Sequence, residues 1–91
     1  MEPIAALTSL DQAEMTQICH VLALDGKTMQ LKLPQYLNIG SPVKVEADDT
    51  MSLGEVSYCR PDGDGYVAWV EIFQALHNVH ELTRLARALL S

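Results

Sequence analysis

The chain has 91 residues, 48% of them hydrophobic, and carries a net charge of −6 from twelve acids against six lysines and arginines. That length predicts one domain spanning 1–91, and no apolar run approaches the roughly 18 residues of a membrane span, so membrane insertion is not expected. The acidic balance disfavours nucleic acid and anionic membrane surfaces, both of which must be met by clustered Lys and Arg; the one close arginine pair is Arg84 and Arg87.

Met1-Glu2-Pro3 lacks the basic and then apolar run of a secretory leader, and a cytoplasmic location is expected. Ser9, with Gln12 three positions later, has capping-box spacing. It predicts one or two helical turns over 9–15, making 1–15 an N-terminal segment with a short helix.

From Thr16 the pattern becomes strand-like. The runs "TQICHVLAL" and "KTMQLKLP" flank Asp25-Gly26, a strong hairpin signal, because glycine accepts the positive φ of a tight turn. Met29, Leu31 and Leu33 alternate with Thr28, Gln30 and Lys32, as a strand with one wet face requires, and Pro34 ends the run. Asn38, Gly40, Ser41 and Pro42 punctuate a loop before Val43 and Val45, and Asp48-Asp49 turns the chain. "SLGEVSYCR" and "YVAWVEIF" then form a second hairpin across Pro61-Asp62-Gly63-Asp64-Gly65, where almost every residue is a turn former. Short strands at close spacing predict a small antiparallel barrel over 16–74.

In the last segment, 75–91, the period changes. Leu76, Val79, Leu82, Leu85, Ala86, Leu89 and Leu90 recur every three or four residues, with Asn78 as N-cap and Glu81 after it. An amphipathic C-terminal helix is expected. Its apolar stripe has to bury, either on the barrel or, through Leu82, Leu85 and Leu89, as a seam for self-association or a partner.

The order of hairpin, "LNIGSPVKVEADD", "LGEVSYC", "GYVAWVEI" and "QALHNVHELTRLARALL" resembles the PilZ domain, a bacterial six-stranded barrel with a terminal helix. Gly40, Val43, Val45, Leu53, Gly54, Val56, Tyr58, Val70 and Ile72 carry the likeness, which covers roughly residues 16 to 90. The resemblance implies a mainly β, six-stranded antiparallel barrel and a place in cyclic di-GMP signalling. Members that bind this nucleotide use an Arg-x-x-x-Arg and an Asp/Asn-x-Ser-x-x-Gly, since two phosphates and guanine edges demand bidentate donors. This chain has no arginine before Arg60; with Gly26 as the motif's glycine, the acidic position falls on Val21 and the serine on Ala23. Losing two charge-assisted contacts of about 1.5 to 3 kcal/mol each weakens affinity by about a hundredfold to ten-thousandfold.

The expected function is therefore a non-catalytic regulatory or adaptor module working by protein contact, with no cofactor. Tyr58, Arg60, Tyr66 and Trp69 are its candidate contact residues. The alternative is a cyclic di-GMP receptor with atypical contacts, for which Arg60, Lys27 and Lys32 are the bases near the hairpins. Trp69 stands where the family pattern has a glycine, and reads either as a packing residue or as an aromatic surface for a partner.

Other constellations have plainer readings. Asp62, Asp64 and Glu71 follow part of a calcium-loop pattern, but Arg60 occupies the first ligand position and the flanks are strands, so a hairpin turn is expected. His77, His80 and Glu81 read as exposed residues at a helix start. Cys19 and Cys59, forty residues apart, lack zinc spacing and read as buried reduced thiols. Cys19 and His20 fall on opposite faces of a strand and cannot pair as nucleophile and base.

Overall fold

Alternation along the chain sorts side chains into an inner and an outer set, and six strands wrap the inner set. The structure, a computed structural model, describes residues 3–11 and 15–77. The strands are β1 (Ile4–Ser9), β2 (Thr16–Asp25), β3 (Thr28–Leu33), β4 (Pro42–Ala47), β5 (Thr50–Asp62) and β6 (Gly65–His77). They close into an antiparallel barrel in the order β1-β2-β3-β6-β5-β4, β4 returning to β1.

The inner set is apolar. Leu7, Cys19, Leu31, Val43, Val56, Ala68 and Val70 have no exposure, and Leu37 enters from the loop after β3. Side chains of this size fill a small barrel, leaving a packed core. Cys19 and Cys59 are both buried free thiols, and the Cys19 Sγ donates to the Ala5 carbonyl at 3.5 Å.

The turns follow local chemistry. Gly26 takes φ +61° between β2 and β3, and Asp48, of a residue type that tolerates the left-handed region, takes φ 52° between β4 and β5. The second hairpin turns over only Gly63 and Asp64, because Pro61 and Asp62 remain paired with Tyr66 and Gly65.

Both ends of the barrel depart from the sequence reading. Ile4–Ser9 is a strand, so the barrel begins well before residue 16. Burial of Ala5 and Leu7 between β2 and β4 outweighs the weak local signal of a helical start. Of the expected turns over 9–15, Ser9 ends β1, Leu10 and Asp11 bend, and the Ser9 N–H donates to the Met15 carbonyl at 2.9 Å; residues 12–14 lie outside the described residues. At the other end β6 runs past residue 74. Ala75, Leu76 and His77 pair with Ser52, Met51 and Thr50, so they are strand and not the start of a helix. The rest of the expected helix, with Leu82, Leu85 and Leu89, lies outside the described residues.

Two bulges interrupt the long β5–β6 ladder. One lies between Leu53 and Gly54, and opposite it Phe73 has no cross-strand partner. At Gly54 the strands approach so closely that an added Cβ would stand 2.2 Å from the Glu71 carbonyl oxygen. Backbone has to move to relieve such a contact. Gly54→Ala is expected to destabilise the barrel by at least about 2 kcal/mol, read as a lowered urea midpoint at unchanged m-value.

Burial also pushes the Cys19 thiol up from 9.0 to about 11. A folded state that disfavours the thiolate keeps this stability in full below pH 9 and loses it as pH rises through 11. The loss is at most roughly 3 kcal/mol. Urea midpoints measured from pH 8 to 11 should fall in the native protein, with a shallower fall in Cys19→Ala.

Candidate functional site

The outer face of β3, β6 and β5 carries the residues with the most chemistry. In its central rung Trp69 of β6 lies between Gln30 of β3 and Tyr58 of β5. The Tyr58 and Trp69 rings are 5.5 Å apart between centroids and tilted by 44°. Arg60, two residues further along β5, sets its guanidinium 5.5 Å from the Trp69 ring centroid, a cation–π distance. Tyr58 is 50% exposed, enough to offer a free aromatic surface beside the half-covered indole.

A bulge puts these side chains outside. Val56 pairs with Val70 and Tyr58 with Trp69, leaving Ser57 as the extra residue. Before it the even-numbered residues of β5, Ser52, Gly54 and Val56, are buried; after it Cys59 is buried while Tyr58 and Arg60 face out. The Ser57 hydroxyl donates to the Trp69 carbonyl at 3.0 Å and ties the bulge to the rung that it serves.

The neighbouring rungs differ in charge. On one side Glu71 lies directly between Glu55 and Thr28, and both glutamates are exposed. On the other, Val67 lies between Lys32 and Arg60 and is buried although alternation places it outward. Lys32 is held there, donating to the Asp62 carbonyl and pairing with the Asp62 carboxylate at 3.1 Å.

Of the four contact residues expected from sequence, Tyr58, Arg60 and Trp69 come together. Tyr66 does not join them. It packs against the core and meets Tyr36 edge-on at 5.6 Å. Trp69 is not a core residue, since its flanking neighbours Ala68 and Val70 fill the interior.

A second feature is a cavity of about 550 Å³ at the barrel mouth, lined by Val21, Leu24, Met29, Ile72 and Phe73, with Lys27 and His77 beside them. The three bases of the nucleotide alternative do not converge on it. Lys27 lines the mouth, Lys32 is bound to Asp62 about 17 Å along β3, and Arg60 covers Trp69. Val21 faces the cavity with no donor to offer, and the neighbouring Ala23 is exposed.

The remaining clusters separate. Glu71 is six residues up β6 from the turn of Asp62 and Asp64, about 20 Å away. His77 sits on a strand 3.3 Å from the Thr50 hydroxyl, and His80 and Glu81 lie outside the described residues. Cys19 is buried and His20 exposed on the opposite face. Among the described residues no group of three His, Cys, Asp or Glu is placed to hold a metal ion.

Sequence reasoning missed the facing glutamates, the mouth cavity and the bulge. The bulge had a signal: apolar residues at 56 and 59 break the period of two. Comparison with known proteins finds no matching family, curated protein or solved structure.

Deleting Ser57 would make Val56 and Tyr58 successive residues opposite Val70 and Trp69, so that Tyr58 stays outside and Cys59 inside, and the deletion is expected to keep cooperative unfolding. Ser57→Ala loses only one hydrogen bond, about 1 kcal/mol, and should keep the transition with altered Trp69 emission. Thermal melts followed by circular dichroism and fluorescence check both.

Proposed function

We propose that the chain is a PilZ-like regulatory or adaptor module, bacterial, cytoplasmic and non-catalytic, which works by protein contact through the outer face of Tyr58, Arg60 and Trp69. The observation that carries this reading is the aromatic pair displayed on the outside of a closed barrel. Small aromatic clusters with an adjacent arginine are the side chains most enriched at binding hot spots. The six-stranded antiparallel architecture supports the PilZ part of the reading, and the dispersal of Lys27, Lys32 and Arg60 favours a protein partner over cyclic di-GMP. The reading includes a C-terminal helix after His77, whose Leu82, Leu85 and Leu89 face the barrel or a second chain.

Titration with cyclic di-GMP to about 100 μM should leave Trp69 fluorescence without a saturable transition; a micromolar one would select the receptor alternative. Trp69→Ala should weaken association with the natural partner by at least about tenfold while leaving the melting temperature within a few degrees. Leu85→Asp or Leu89→Asp should shift the elution volume of the purified protein if the helix is a self-association seam. An unchanged, folded monomer would remove that role.

A further inference from the structure

We infer that the partner segment received on the Tyr58–Trp69 face is basic, with a lysine or arginine set between Glu55 and Glu71 and an apolar side chain on the rings; this rests on the adaptor reading above. The two glutamates are directly paired across β5 and β6, and both are exposed. Like charges in facing positions destabilise a sheet, so the pair costs the barrel stability and has no packing role in return. Among the described residues no cation pairs with either. Lys32 holds Asp62, Lys44 pairs with Glu46 at 3.4 Å, Arg60 lies over Trp69, and Lys27 is at the mouth. The outer neighbours of the two glutamates across the ladders are Thr28 and Pro42, neither of which is charged.

Spacing then defines the ligand. The Glu55–Glu71 rung and the Tyr58–Trp69 rung are two residues apart on β6, or about 7 Å. Residues i and i+2 of an extended peptide span that distance on one face, so a cation and a large apolar side chain in alternate positions match both rungs. The cation would sit within reach of both carboxylates and offset part of their repulsion. The apolar residue would cover the free surface of Tyr58 and the edge of the indole that Arg60 leaves open.

The probe is a blocked Arg-Ser-Leu-Ser-Arg peptide, with its Glu-for-Arg counterpart as control, titrated against the whole chain while Trp69 emission is followed. The arginine peptide should bind saturably and lose about tenfold in affinity between low and high salt, and the glutamate peptide should not bind. Glu55→Gln/Glu71→Gln relieves a repulsion and is expected to fold; it should weaken the peptide by about tenfold or more. Asp48→Asn/Asp64→Asn makes the same change in net charge at two hairpin turns, each about 17 Å or more along the strands from the glutamates, and should leave affinity unaltered. Equal weakening in the two double variants, tighter binding of the glutamate peptide, or no response at all would each overturn the basic-segment inference. If Trp69→Ala still weakens the natural partner in that event, the adaptor reading survives without it.

Discussion

The four residue pairs that join β1 to β4, from Ala6 with Glu46 to Ser9 with Val43, close the sheet on itself, and the rest of the molecule depends on that closure. Without them β1 and β4 would each present an open edge, the template on which strands add and aggregate. The interior would also lose Ala5 and Leu7 and open Val45 and Cys19 to water. Once closed, the barrel has a strict inside and outside, and every side chain on a strand must take one or the other.

Closure also sets where function can reside. The interior is filled by Leu, Val, Ala and Cys, which leaves the outer wall and the mouth as the two surfaces with anything to offer. On the outer wall a single inserted residue, Ser57, changes which side chains of β5 face water and brings Tyr58 and Arg60 beside Trp69. The same ladder opposes Glu55 to Glu71 one rung away. Aromatic surface, a guanidinium at cation–π distance and facing carboxylates thus share a small patch, ordered by hydrogen-bond register.

The mouth offers contrasting chemistry. Val21, Leu24, Ile72 and Phe73 give it an apolar lining, and neither Val21 nor the nearby exposed Ala23 has a polar side chain to offer. A ligand with two phosphates would meet one lysine there and no arginine among the described residues. That contrast is why the proposed function places recognition on the aromatic wall.

Much of the barrel was legible because its signals are local. Asp25-Gly26 and the Pro61–Gly65 turn declare hairpins, and Met29, Leu31 and Leu33 declare a buried face, each within a few residues. β1 was not legible. "IAALTS" is short, and the capping-box spacing that follows competes for it; only pairing with β2 on one side and β4 on the other makes it a strand. Of the site, residue types were readable and placement was only partly so: Tyr58, Arg60 and Trp69 converge, whereas Tyr66 turns to Tyr36.

By itself the sequence determined composition, charge, the hydrophobic period and the turns, all of which depend on neighbours along the chain. Tertiary structure decided closure, register and the facing of Trp69, Glu55 and Glu71. These depend on hydrogen bonds between strands distant in sequence and on one bulge, whose energies exist only once the strands have met.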